Sequence, residues 1–145
     1  MMEAEFVVIN ASCEYCQSFD SGFHARPSMV IVERANIYNC SIRMSHTGSV
    51  DYFADAKSII QVSMLVASMG SIIKVECDGP DEISALNGLA DTWLFTGKGL
   101  CDHFIQYRDS LPDHHQKSSL EVLSGYTQEI KNGRGCPRMT YGMGR

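Results

Sequence analysis

The chain has 145 residues, of which 44% are hydrophobic and 20% charged; this balance excludes a disordered or fibrous polymer and leaves room for one domain plus an appendage. Its formal charge of −5 is unevenly spread: residues 1–94 hold 5 Lys+Arg against 12 Asp+Glu, a net of −7, and residues 95–145 hold 7 against 5, a net of +2. An acidic main portion repels phosphate backbones, so no nucleic-acid ligand is expected, and protein partners steered by charge should present basic surfaces.

Phe6 to Asn10, rich in Val and Ile, reads as a first strand, followed by a long loop at residues 11–21 that holds Cys13 and Cys16. Asp20, Ser21 and Gly22 close that loop ahead of a helix signal, and Pro27 sits where a first helical turn tolerates it. From Ser28 to Tyr38, Ile31, Ala35 and Tyr38 recur at helical spacing and predict helix 1. Cys40–His46 and Ser49–Ala54 flank the turn formers Thr47 and Gly48, as two strands of a hairpin would.

Ser58 and Gln61 have capping-box spacing, and Val62, Leu65, Val66 and Met69 predict a second helix that Gly70 stops. Ile72–Asp78 alternates Ile73, Val75 and Cys77 against Lys74, Glu76 and Asp78, the pattern of a half-buried strand. Gly79, Pro80, Asp81 and Glu82 open a third helix with Ala85, Leu86, Leu89 and Trp93 on its buried stripe. The order βαββαβα implies an α+β fold, a four-stranded antiparallel sheet with three helices on one face. After Leu94, 7 of the 12 glycines fall in residues 95–145, and a loosely ordered extension is expected, with one short helical candidate at Ser118–Ile130.

No basic segment leads into an apolar stretch at Met1–Glu5, and no window approaches about 18 uninterrupted apolar residues, so a cytoplasmic protein without membrane insertion is expected. Its six cysteines are then read as thiols.

Chemistry concentrates in Gly22, Phe23, His24, Ala25, Arg26 and Pro27. A histidine just before a helix start lies where orphan backbone N–H groups and the helix dipole favour an anion, so a dianionic phosphate can be held beside its ring. Arg26 offers a permanently charged, planar fork of donors to the phosphate oxygens. This segment resembles the active-site motif of the histidine-containing phosphocarrier HPr. The likeness continues through Ala56, Lys57, Ser58 and Ile59 to Asp78, Gly79, Asp81 and Glu82, and covers about residues 5–94.

The resemblance implies the HPr-like open-faced sandwich over residues 1–94 and a carrier that is not itself an enzyme and has no cofactor. It implies that His24 is phosphorylated by enzyme I, Arg26 steadies the phosphate, and the group passes to a sugar-specific enzyme IIA of the phosphotransferase system. It further implies that Ser58 is a regulatory phosphorylation site, and that Phe23, Met29, Val30, Ile59 and Ile60 form the partner-docking surface. An alternative on the same fold is a regulatory binding module in which Ser58 is the switch and an HPr kinase or a transcription regulator is the partner. Against regulation stands the plainer role of Ser58 as a helix cap. Cys13-x-x-Cys16 could supply half of a zinc site or a redox pair, but no second Cys-x-x-Cys or spaced His pair accompanies it, so two loop thiols and no metal are expected.

Overall fold

The computed structural model describes residues 1–9, 25–65, 70–94 and 102–135, and gives the backbone alone for 25–27 and 114. Four strands, β1 (Met2–Val7), β2 (Ser41–His46), β3 (Ala54–Asp55) and β4 (Ile72–Asp78), form an antiparallel sheet in the order β1-β4-β2-β3. Among the described residues five α-helices accompany them: α1 (Ala25–Ala35), α2 (Ile59–Ser63), α3 (Glu82–Trp93), α4 (Asp102–Ser110) and α5 (Ser119–Lys131).

Strand alternation decides what each face of the sheet does. Phe6, Ile73 and His46 align across three strands, as do Ala4, Val75 and Met44, and Met2, Cys77 and Ile42. This set faces the helices and, apart from Met2, Ala4 and His46, is buried. The opposite face is mostly polar, with Val7 and Ile72 buried at one end: Arg43 pairs with Glu76 at 3.2 Å and Lys74 with Glu3 at 3.4 Å. One covered and one charged face is the open-faced α+β arrangement expected from the sequence, with α1, α2 and α3 over the apolar side.

Four local expectations change. The first strand begins at Met2 rather than Phe6, because Met2, Glu3 and Ala4 find partners at Cys77, Glu76 and Val75. The hairpin turns at Thr47–Gly48, but β3 shrinks to Ala54–Asp55, paired with Met44 and Arg43. Residues 49–53 leave the ladder: the Tyr52 hydroxyl donates to the Gln61 carbonyl at 2.7 Å, and the Arg43 guanidinium lies over the Phe53 ring at 4.6 Å. Helix α2 runs only from Ile59 to Ser63, with Met64 at its C-cap, and Val66 and Met69 lie outside the described residues. Half of the anticipated capping box forms, since Ser58 Oγ accepts the Gln61 N–H, whereas Gln61 Oε1 accepts the Asp55 N–H.

The largest change is beyond Leu94. In place of a loose extension with one helix, α4 and α5 are both present, and Phe104, Val122, Leu123, Tyr126 and Ile130 join the core that contains Phe6 and Trp93. The capping box does form here, between Ser118 and Glu121. Thr127 Oγ1 accepts the Val7 N–H at 2.9 Å and Trp93 Nε1 donates to the Val7 carbonyl at 2.9 Å. Edge strand β1 therefore has its outward backbone groups closed at this end.

Candidate functional site

The segment after α1 meets the segment that leads into α2, and short polar links hold them. The C-terminal turn of α1 leads to Asn36, whose side-chain amide donates to the carbonyls of Val32 at 2.8 Å and Lys57 at 3.2 Å. Lys57 Nζ donates in turn to the Tyr38 carbonyl at 2.7 Å, placing a cation at the carbonyl end of α1, where the helix dipole favours it. The Lys57 N–H donates to Asp55 Oδ1 at 2.9 Å, which fixes the turn before Ser58. Arg34 reaches the other way, its Nε donating to Thr92 Oγ1 at 3.1 Å and the Gly88 carbonyl at 3.3 Å, and ties α1 to α3.

Four of the five anticipated docking residues are described, and they are exposed on the adjoining helices α1 and α2. Met29 is 53% exposed and Val30 37% on α1, while Ile59 is 38% and Ile60 70% exposed on α2. Four apolar side chains left in water on two adjoining helices form the kind of surface that a partner covers. Met64, exposed one turn beyond Ile60, extends it, though the sequence pattern assigned it no role. Ile31, Ala35 and Val62, which alternate with these residues, are buried and hold the helices on the sheet.

Helix α1 starts at Ala25, so His24 is the residue immediately before it in the chain. His24 and Phe23 lie outside the described residues, as does the side chain of Arg26, whose backbone belongs to the first turn of α1. Ser58 occupies the N-cap of α2 with extended backbone, φ −113° and ψ 114°, and is partly exposed. Its Oγ engages the Gln61 N–H at 3.3 Å, beyond the usual range for a strong bond.

Neither metal nor thiol chemistry gathers among the described residues. They contain no group of three or more His, Cys, Asp or Glu able to hold an ion. Cys13 and Cys16 lie outside the described residues. Cys40 and Cys77 are buried free thiols, and burial pushes Cys77 up to about 12, far from the thiolate needed for nucleophilic or ligand chemistry. No helix of the described residues is long and apolar enough to cross a membrane.

The sequence motif alone left Asn36, Lys57 and Arg34 without roles. A basic residue in the last turn of a helix is the only signal that pointed at Arg34, and nothing local foretold the reach of Asn36 across 21 positions.

Comparison with known proteins converges on the same segments. The sequence model of a family described as the PTS HPr component phosphorylation site matches residues 17–93. The phosphocarrier protein HPr of Cupriavidus necator is 41% identical over 68 residues, covering 47% of this chain and 73% of that protein. The HPr of Xylella fastidiosa strain 9a5c is 32% identical over 91 residues, covering 63% of this chain and 89% of that protein. Among solved structures, an HPr of Thermoanaerobacter tengcongensis superposes with a TM-score of 0.52 at 27% identity, covering 63% of this chain and 89% of its own. A histidine-containing phosphocarrier protein of Mycoplasma shares the fold, with a TM-score of 0.54 at 20% identity and coverage of 65% and 93%.

Proposed function

Since this chain belongs to the HPr family, the phosphocarrier component of the phosphotransferase system and not itself a catalytic enzyme, we propose that it accepts a phosphoryl group on His24 from phosphorylated enzyme I and delivers it to an enzyme IIA. The observation that carries this reading is the pairing of a helix that starts directly after His24 with an adjoining surface of exposed Met29, Val30, Ile59 and Ile60.

In the proposed transfer a ring nitrogen of His24 forms a bond to phosphorus as the donor's bond to phosphorus breaks, and the reverse exchange occurs at the acceptor. The chain needs no cofactor for this. Its own contribution is electrostatic: the first N–H groups of α1, unpaired within the helix, and the Arg26 guanidinium stabilise the dianion that the imidazole carries. The docking surface is apolar and exchangeable, which suits a carrier that must leave one partner for the next.

Incubation with cognate enzyme I and labelled phosphoenolpyruvate tests this. Acid-labile, base-stable label is expected on the wild-type chain, absent in His24→Ala, and formed more slowly by at least about tenfold in Arg26→Ala, the scale of one lost charge-assisted contact in a transferring site. Unlabelled, folded wild-type protein would reject the carrier role.

One observation favours a second role for the same surface. Ser58 is partly exposed, weakly engaged by its capping bond and followed by the exposed Ile59 and Ile60. A phosphate on its hydroxyl would be compatible with the start of α2 yet would bring a dianion into the apolar docking surface. In the regulatory reading an HPr kinase supplies that phosphate and a transcription regulator reads it.

A further inference from the structure

Ser28 is the fourth residue of α1 and lies on its buried stripe with Ile31 and Ala35. It is 0% exposed, yet its hydroxyl has no hydrogen-bond partner, and among the described residues no other buried side-chain oxygen or nitrogen is left in that condition. The buried hydroxyls of Thr127 and Thr92 are used: the first donates to the Leu123 carbonyl at 2.8 Å and accepts the Val7 N–H, and the second accepts from Arg34 Nε at 3.1 Å. A polar group sealed from water without a partner is unfavourable, because the bonds that water gave it in the unfolded chain are not replaced. An alanine in its place would forfeit no bond and would gain helix propensity. The Ser28 hydroxyl therefore contributes nothing to holding α1 on the sheet.

Helix geometry limits where that hydroxyl can reach. The Cα–Cβ bonds of a helix tilt toward its N-terminus, so a helical serine finds its acceptor among the main-chain carbonyls three or four residues back. For Ser28 these belong to Ala25 and His24. A carbonyl oxygen has two lone pairs and can accept a hydroxyl in addition to a helical N–H. The buried donor is thus aimed along α1 toward the end at which the proposed phosphoryl site begins.

We propose that Ser28 is a positioning residue for phosphoryl transfer: its hydroxyl donates to the main-chain carbonyl of His24 in the transferring state and so holds the imidazole against the first N–H groups of α1. The inference rests on the reading of His24 as the phosphoryl carrier and adds to it a residue that acts through His24, with no bond of its own to phosphorus. A bond gained only in the transferring state raises the maximal rate and does not tighten docking.

The test is phosphoryl transfer from cognate phosphorylated enzyme I to the full-length wild-type, Ser28→Ala and Ser28→Cys chains, with carrier concentration varied to separate KM from the maximal rate. The maximal rate should fall about three- to tenfold in both variants, the scale of one neutral hydrogen bond, since a thiol is too weak a donor to replace the hydroxyl. KM should stay within about twofold, because Met29, Val30, Ile59 and Ile60 are untouched. The urea midpoint of Ser28→Ala should equal or exceed that of wild type, whereas a serine that merely supported α1 would lower it on removal. A folded Ser28→Ala chain that transfers at the wild-type maximal rate, or whose loss appears in KM or with a lowered midpoint, overturns the Ser28 assignment while leaving the carrier role intact. Absence of label on folded wild-type chain rejects the carrier role, and the Ser28 assignment falls with it.

Discussion

Gly79 carries a constraint that its neighbour cannot relieve. It adopts φ +154°, and a Cβ there would stand 2.7 Å from both Cα and Cβ of Cys40, so a methyl group would push on backbone. The junction is tight because Asp81 accepts the N–H groups of Asn39 at 2.8 Å and Cys40 at 2.9 Å, drawing the start of β2 onto the start of α3. Those bonds, the Asn39 N–H foremost, hold the Asp81 carboxyl below the usual carboxylate range. Asp81 looked from sequence like a first-turn helix acid; it makes no side-chain bond to its own helix and serves the neighbouring strand instead. Gly79→Ala is expected to destabilise the protein by about 2 kcal/mol, the scale of overpacking in a fixed site, read as a lower urea midpoint at unchanged slope. A midpoint equal to wild type would show that the junction has room the distances deny.

Elements differ in how much of their pattern is visible along the chain. β4 matched its expected bounds because Ile73, Val75 and Cys77 alternate with polar residues and both neighbours in the sheet reinforce that alternation. α5 matched its candidate span to within a residue at each end, since Leu123, Tyr126 and Ile130 recur at helical spacing. α4 was invisible: Phe104 is its only buried residue, too little to create a period. β3 shortened because Tyr52 and Phe53 bond to α2 and to Arg43, contacts that no alternation rule reports.

The attachment of α5 to β1 also yields a pH dependence. Lys131 Nζ donates to Glu5 Oε1 at 2.7 Å and Thr47 Oγ1 to Glu5 Oε2 at 2.8 Å, and the Lys131 bond leads in holding the Glu5 carboxyl below its ordinary range. A carboxyl depressed in the folded state contributes stability above its unfolded value and loses it as pH falls through the folded one. Because both side chains are about one-third exposed, solvent screening limits the pair to less than about 1 kcal/mol. Lys131→Met should therefore be less stable than wild type at neutral pH by up to that amount, and the gap should narrow in urea titrations as the pH falls through the carboxylate range. A gap independent of pH would assign the loss to packing of the lysine stem.

At the scale of the whole molecule, the segment beyond Leu94 supplies part of the core and the closure of one sheet edge. Removing it strips Val7 of the Thr127 acceptor and exposes the side of the core that meets Leu123, Tyr126 and Ile130. A buried N–H left unpaired costs about 1–3 kcal/mol, before the lost apolar burial is counted. The full chain is expected to unfold in one cooperative transition, and a chain ending at Leu94 to unfold at a clearly lower denaturant concentration with a smaller slope. Two separate transitions in the full chain, the later one unchanged by truncation, would instead describe α4 and α5 as an independent unit.

From the sequence by itself came the element order, the two-faced sheet and the residues surrounding the proposed phosphoryl site, because each leaves a mark within a few positions: alternation, helical spacing, turn formers, and a motif running from Gly22 to Pro27. Only the tertiary structure decided that residues 102–135 share the core and that Asn36, Lys57 and Tyr52 tie α1 and α2 to the segments beside them. Those outcomes depend on bonds between residues up to 120 positions apart, such as Val7 with Thr127. Local patterning records which side of an element is apolar, but which element covers that side is set by the closing of the chain on itself.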